Sequence, residues 1–499
     1  MSANDETSTT LDAQCLRAIH NPAEQQALEY QEHWHTWGEM RVVADEVRRL
    51  LAAAGASAGA PVAFAPRNRP SAIAAELGMI ASRCTVQMVY AFQSPAGIAR
   101  EVARLDVIAV VAAAEDFTPD LLEVVKSQGL AAIALEEMKA TVVPGAEIST
   151  ATLAGGASSE PQIKVHTSGT TGPPKHVAFS FEMIERHIVG QNITSVTATA
   201  GDQPPVLLTF PLGNISGIYS VLPPMLTGRR AVLLDRFTLD GWRSYIRRYK
   251  PAVPMLPPAS IRMVLDADIP REELSNIKML MTGAAPLDPA VQLAFEEKYG
   301  IPILSSYGAT EFGGPVSLMT PDDYTTFGKA KNGSVGRPYA GAQLRVIDAD
   351  TSQVLAPNTE GLLEVIAPRI GPDWIRTSDI AMIDEDGFLY HRGRADGAIV
   401  RGGFKLVPET IERALCLHPA VSAAAVVGIP DQRLGELPAA AIRVKPGHAQ
   451  PTVAELEHHV RQHVYSTHVP AAWLFVDDIP RNASFKTDLA GVRRLFESA

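Results

Sequence analysis

His166-Thr-Ser-Gly-Thr-Thr-Gly-Pro-Pro-Lys-His176, about a third of the way along a chain of 499 residues, is the stretch around which the rest can be organised. Between His166 and Pro173 no side chain is larger than threonine, so the donors are backbone N–H groups and hydroxyls, and Lys175 adds a positive charge. That inventory suits the holding of phosphate oxygens. A Gly/Ser/Thr-rich run can equally be a surface linker. A Walker-type P-loop is excluded, because Pro173 and Pro174 separate Gly172 from Lys175 and no Ser or Thr follows the lysine.

The whole chain narrows the choice. Single cores stop growing at roughly 250–300 residues, so two or more packed units are expected. Hydrophobic residues at 46% and charged residues at 20% describe an ordinary globular protein and exclude disorder on a large scale. A net charge of −11 argues against an electrostatic nucleic-acid binder, and an anionic ligand would need positive charge placed locally. Cys15, Cys84 and Cys416 are odd in number and far apart, which makes neither a disulfide framework nor a zinc knuckle and points to a reducing cytoplasm. The start, MSANDETSTTLDAQ, lacks the basic and apolar pattern of a secretory signal. Gln203–Gly228 is uncharged and long enough to span a bilayer, but Pro204, Pro205, Pro211, Pro223 and Pro224 should break its helix. It is expected to be buried core and pocket wall, with no transmembrane segment.

The first part, to about Ala140, alternates helical and short apolar segments. In WGEMRVVADEVRRLLAAAG, Val42, Val43, Val47, Leu50 and Leu51 are expected on one helix face, with Gly55 as a stop; PVAFAP and DVIAVVAAA are expected strands. The fold class is therefore α/β, layered sheets and helices. Thr141–Pro161 is expected to be a loop leading into the opening run. Further on, AVLLDRF and IKMLMTGAAPL are expected strands, and DPAVQLAFEEKYG a helix closed by Gly300. A small β unit is expected between Gly333 and Tyr390, and a separate α+β unit of about a hundred residues after Arg394.

Four more segments, in order, accompany the opening run: Met281-Thr-Gly-Ala-Ala-Pro-Leu287; Ser305-Ser-Tyr-Gly-Ala-Thr-Glu311; Arg376–Glu412, with Asp379, Arg394 and Gly402-Gly403; and Ile479–Leu489, with Lys486. Tyr307 can stack on a purine, Thr310 can donate to a phosphate oxygen and Glu311 can reach a magnesium ion. Taken together the five segments resemble the acyl-adenylate-forming superfamily of AMP-dependent synthetases and ligases, most of all the acyl-CoA synthetases. The resemblance covers essentially the whole chain.

That resemblance implies a phosphate loop of Thr167, Ser168, Gly169, Thr170, Thr171, Gly172 and Lys175. It implies adenine and carboxylate contacts along Gly283, Ala284 and Ala285 and at Ser306, Tyr307 and Gly308. Thr310, Glu311 and Lys486 would be catalytic, with Glu311 holding Mg2+. Asp379 would take the ribose hydroxyls and Arg394 would also contact the nucleotide, while Gly402 and Gly403 would line the entry of the pantetheine arm. An N-terminal adenylation domain, 1–395, would be followed by a mobile C-terminal domain, 396–499, hinged at Asp396. The implied reaction turns a carboxylic acid and MgATP into acyl-AMP and pyrophosphate, then transfers the acyl group to coenzyme A. The alternatives are delivery to a carrier-protein thiol and a non-catalytic nucleotide-binding relative. A homodimer is left open.

This chain departs from the family pattern at His176 and Phe485, where glycine is usual, at Ser378 in place of the glycine before Asp379, and at Asn214, where many relatives have histidine. Both glycine replacements put a bulky side chain where freedom in φ is expected. The wall segment Gln203–Gly228 has no charge to pair with an ammonium group, which disfavours an amino-acid substrate. Phe210, Asn214, Ile215, Ser216, Gly217 and Phe312 are the candidates for an apolar acyl pocket, suited to an aromatic, alicyclic or fatty acid.

Overall fold

The computed structural model describes residues 10–146, 160–166, 176–190, 203–395, 397–401, 404–431, 434–464, 466–482 and 485–497. The chain divides into two compact units, one built up to Pro251 and the other from Ala252 onward. Both mix helices with sheets, the α/β class that the alternating pattern implies.

In the first unit the elements run α1 (Leu11–Ile19), β1 (Gln26–Tyr30), β2 (His33–Thr36), α2 (Trp37–Ala53), β3 (Pro61–Ala65), α3 (Pro70–Ala81), β4 (Thr85–Met88), α4 (Pro95–Val102), β5 (Ala109–Ala113), α5 (Pro119–Gln128), β6 (Ala131–Glu136) and β7 (Lys139–Val142). They continue with β8 (Gln162–His166), β9 (His176–Ser180), β10 (Val206–Leu208) and β11 (Ala231–Leu233). A seven-stranded sheet has the order β7-β6-β5-β3-β4-β8-β9, parallel except for β7 and β9. β5 is buried along its whole length, as a parallel strand covered on both faces must be. Alternation along β3 sorts the layers. Val62 and Phe64 join the core that includes α2 and α3, whereas Ala63 and Ala65 join the one that includes α4 and α5. A smaller sheet has the order β10-β11-β1-β2.

α2 starts where Thr36 accepts from the Glu39 N–H and the Glu39 carboxylate returns to the Thr36 N–H, a capping box. Val43, Val47, Leu50 and Leu51 are buried at the 3.6-residue spacing, but Val42 is 63% exposed. Val42 sits about 100° round the helix from Val43, so the apolar stripe excludes it. Gly55 follows with φ 84.

Three further expectations need correction. Thr141 and Val142 belong to β7, paired with β6, rather than to a loop. Ile215–Leu226 is a helix although Pro223 and Pro224 lie inside it. The prolines fall in its last turn and forgo two backbone donors, which the buried face of Ile218, Val221, Leu222 and Met225 outweighs. His176 opens β9 opposite His166, an extended position open to any side chain rather than a loop that calls for glycine. Among the described residues no helix is long and apolar enough to cross a membrane.

The second unit holds three sheets. β12 (Leu280–Thr282), β13 (Ile303–Ala309), β14 (Gly314–Leu318) and β15 (Arg337–Pro338) form one. β16 (Gln343–Ile347), β17 (Gly361–Ile366), β18 (Ile375–Ile383) and β19 (Leu389–Arg394) form an antiparallel meander. The last contains β20 (Ile399–Arg401), β21 (Phe404–Leu406), β22 (Val421–Asp431), β23 (Gly435–Val444) and β24 (Ala472–Phe475), accompanied by helices Pro408–Cys416, Val453–His463 and Leu489–Glu497. Helix Pro289–Tyr299 begins at the Asp288 cap and stops at Gly300 with φ 70.

Candidate active site

In the second unit β12 runs parallel to β13 and delivers Gly283, Ala284 and Ala285 beside Ser306. A Cβ on Gly283 would lie 2.4 Å from Ser306 Oγ, which donates to the Thr282 carbonyl at 3.1 Å, so a larger residue there would displace this hydroxyl from its bond. Ala284 has φ 68, a left-handed conformation costly for a residue with a Cβ, and it is exposed. Gly308 is needed for a second close approach, since its Cβ would stand 2.5 Å from the Gly314 carbonyl oxygen. Beyond Ala309, Thr310–Phe312 form a single 3-10 turn ended by Gly313 with φ 64. Glu311 on that turn is exposed and has no hydrogen bond or ion pair among the described residues. An acceptor-only carboxylate of this kind fits a hard divalent cation.

Asp379 is held from three directions. The Tyr307 hydroxyl donates to Oδ2, His391 Nε2 stands 3.4 Å from Oδ1, and Arg394 is its cross-strand partner between β18 and β19. The His391 and Tyr307 rings stack with centroids 5.9 Å apart and planes 29° from parallel. Burial pushes the Asp379 carboxyl up, but His391, Tyr307 and Arg394 more than offset it, and the group stays below the ordinary aspartate value. Burial and the Asp379 charge push the Tyr307 phenol well up, so it remains a donor. Arg394 is anchored by its Nη2, which donates to Ser378 Oγ at 2.6 Å. Ser378, one of the departures noted in the sequence, thus helps to fix the position of Arg394. Gly393, at φ 141, lets β19 pass Val407 and Glu409, where a Cβ would meet both at 2.7 Å.

Lys486 is tied back to Asn482. Its N–H donates to Asn482 Oδ1 at 3.0 Å, its carbonyl accepts from the Asn482 N–H at 2.9 Å, and Arg481 Nη1 donates to the Phe485 carbonyl at 3.2 Å. Phe485 has φ 60, the left-handed geometry that explains why glycine would be easier there. Lys486 keeps solvent-accessible surface, yet the surrounding protein strips enough hydration to lower its ammonium below the usual lysine value. Arg394 adds to the lowering, and Glu311 and Asp379 work against it. These named interactions bring residues from 311 to 486 into one electrostatic cluster.

The expected acyl-pocket residues have structural duties in the first unit. Asn214 caps helix Ile215–Leu226, its Oδ1 accepting from the Gly217 N–H at 2.8 Å. Gly217 is compelled by packing, because a Cβ would meet the Pro211 carbonyl at 2.4 Å. Phe210 and Ser216 are half-buried, and Ile215 is 9% exposed. Asn68, which no local spacing singles out, pins this segment by donating to the Phe210 and Leu234 carbonyls and accepting from the Leu212 N–H. In the second unit Phe312 is 2% exposed and belongs to the core cluster that includes Val316, Val346 and Leu363. His391 is the other residue missed by reading along the chain, since only the β18–β19 register brings it to Asp379. Thr167, Ser168, Gly169, Thr170, Thr171, Gly172, Lys175, Asp396, Gly402 and Gly403 lie outside the described residues.

Known proteins share both sequence and architecture with this chain. Residues 16–371 match the AMP-binding enzyme family, and residues 410–486 match the AMP-binding enzyme C-terminal domain. A 2-succinylbenzoate--CoA ligase of Bacillus cereus is 29% identical over 348 residues, 67% of this chain and 70% of the relative. The 4-coumarate--CoA ligase-like 5 protein of Oryza sativa subsp. japonica is 31% identical over 296 residues, 57% of this chain and 53% of the relative. Among solved structures, the amide bond synthetase McbA of Marinactinospora thermotolerans superposes with a TM-score of 0.77 at 25% identity, covering 97% of this chain and 99% of its own. The o-succinylbenzoate CoA synthetase of Bacillus subtilis, with its acyl-adenylate intermediate, has a TM-score of 0.75 at 22% identity over 96% of this chain and 97% of its own. With a single family pattern running through most of the first 371 residues and its C-terminal counterpart following, this chain belongs to the AMP-binding enzyme family.

Proposed function

We propose that this protein is an ATP-dependent carboxylic acid:CoA ligase acting through an acyl-adenylate. The observation that carries the reading is the half-buried Asp379 carboxylate, held by the Tyr307 hydroxyl and His391 with Arg394 as its cross-strand partner, toward which the charges of Glu311 and Lys486 also act. Asp379 is suited to the two ribose hydroxyls, which would replace Tyr307 and His391 or bond beside them. Tyr307 offers a ring face to the adenine. A carboxylate oxygen of the acid attacks the α-phosphorus of ATP and the bond to pyrophosphate breaks. Lys486 and Arg394 favour the charge that gathers on this assembly more than they favour the ground state. Glu311 would hold Mg2+, which supplies neutralisation of phosphate charge when bound.

In the second half the thiol of coenzyme A attacks the acyl carbonyl and AMP leaves. Lys486 then has to leave its place, and a rotation of the C-terminal domain, 396–499, about Asp396 on the adenylation domain, 1–395, is the proposed route, with Gly402 and Gly403 along the thiol's approach.

An aromatic acid is the first substrate class to test, because relatives are named for 2-succinylbenzoate and 4-coumarate. The uncharged segment around Phe210 agrees with it. The decisive experiment is a pyrophosphate-release screen over aromatic, alicyclic and fatty acids, with Lys486→Ala as the control and coenzyme A as the acceptor. Adenylation without any acid-dependent CoA thioester would overturn the ligase reading. Acyl transfer to an amine would then favour the chemistry named for the amide bond synthetase, and transfer to a carrier-protein thiol would favour a carrier ligase.

A further inference from the structure

We propose that His33, His35 and Glu39 form a binding site for a divalent transition-metal ion of the zinc class. The site lies in the first unit and is independent of the ligase reading. The sequence His33-Trp-His-Thr-Trp-Gly-Glu39 crosses from strand to helix. Because side chains alternate along β2, His33 and His35 share one side. Trp34 takes the other, where its ring receives the Arg230 guanidinium at 5.5 Å and meets Tyr249 edge-on at 6.4 Å. After the Thr36 cap the chain turns into α2, and Glu39 in the first turn comes back to the histidines.

One ligand atom from each of the three residues lies within 4.8 Å of the other two. His35 Nδ1 is 3.8 Å from Glu39 Oε2, too far for a hydrogen bond, and this buried nitrogen has no hydrogen-bond partner among the described residues. Two ligands each about 2.0–2.2 Å from a tetrahedral ion stand roughly 3.4 Å apart, so a small rotamer shift accommodates the ion. The imidazole-rich set selects zinc, nickel or cobalt over magnesium or calcium, which prefer oxygen. Glu39 is already oriented, since its Oε2 accepts from the Thr36 N–H at 2.7 Å, the kind of outer support that metal ligands carry. His33 is exposed, which leaves the remaining coordination position open to water. The ion would fasten the end of β2, at the edge of its sheet, to the start of α2.

Titration calorimetry of the full-length chain without an affinity tag, using zinc chloride, tests this. One ion per chain is expected. Binding should weaken about tenfold or more in His33→Ala and in His35→Ala, and measurably in Glu39→Gln. His33→Ala carries the decision, because an exposed side chain can be removed without loss of folding, and circular dichroism checks that. A second histidine group, His418, His459 and His463, has ring centroids 4.7–5.1 Å apart in neighbouring pairs, so His459→Ala is the control and should bind as the parent does. No saturable binding, unchanged affinity in His33→Ala, or loss confined to His459→Ala would overturn the site.

Discussion

The Tyr307 hydroxyl donates to Asp379 Oδ2, joining β13 to β18 across 72 residues of sequence. This bond, with His391 on the other oxygen, orients the carboxylate proposed to take the ribose. Hydrogen bonds to a charged group contribute about 1.5–3 kcal/mol. Tyr307→Phe should therefore raise the KM for ATP roughly tenfold while changing kcat much less, as read by pyrophosphate release. His391→Ala should act in the same direction more weakly, and an unchanged KM in both would separate this cluster from nucleotide binding.

Lys486→Ala should reduce adenylate formation by about a hundredfold or more while leaving thioester formation from supplied acyl-AMP within a few-fold. The pH dependence follows from the lowered ammonium value. The proposed role requires the cation, its folded-state value lies below that of a free lysine, and so its charge is lost as pH rises through that lowered value. The adenylation rate should fall on the alkaline side earlier than a solvated lysine would allow. Lys486→Arg should move that limb upward, even if the maximal rate drops. A limb that stays in place in Lys486→Arg would assign it to another group.

Ser378→Ala removes the acceptor for Arg394 Nη2. The expected result is a KM for ATP raised several-fold, with little change in thermal stability, because the serine is part of a site rather than of the core. Ser378→Gly, the residue usual in the family, should behave no better than alanine if the Oγ contact is what matters; full activity in Ser378→Gly would count against that contact.

Phe485 and His176 both replace a family glycine, and the structure separates them. Phe485 has φ 60, which costs a side-chain-bearing residue about 1–2 kcal/mol, whereas His176 begins a strand. Phe485→Gly should leave adenylation unchanged or improve it. His176→Gly should give no conformational benefit in unfolding experiments, and a gain in stability there would contradict the strand assignment.

Glu76 on α3 is 1% exposed and its Oε1 has no hydrogen-bond partner among the described residues, and burial raises its pKa from 4.5 to about 8. The folded chain then holds a proton that the unfolded chain releases. Between pH 4.5 and about 8 stability should fall as pH rises, by a few kcal/mol in total. Urea unfolding at pH 5 and pH 8 should show this slope in the parent and a smaller one in Glu76→Gln.

Much of the fold was legible because periodicity is a local property. The stripe Val43, Val47, Leu50 and Leu51 and the buried strands Pro61–Ala65 and Ala109–Ala113 need only their own neighbours to be recognised. Val42 was misplaced because adjacent apolar residues differ by 100° on a helix, and only the position of the sheet decides which one faces inward. The prolines at 223 and 224 differ for a related reason. Their local cost can be read from the chain, while the tertiary burial that offsets it cannot.

By itself the sequence determined the residue inventory: the hydroxyl- and glycine-rich run with Lys175, the Tyr307–Glu311 segment, Asp379, Arg394 and Lys486, whose order carries the family. What only the tertiary structure decided is which of these groups act on one another. The register of β18 against β19, the crossing of β13, and the bond from the Lys486 N–H to Asn482 set the surroundings of Asp379 and Lys486, and with them the directions of their pKa shifts. The same holds for His391 and Asn68, which carry no signature in the chain. A hydrogen bond depends on distance in space, and strand pairing fixes that distance independently of separation along the sequence.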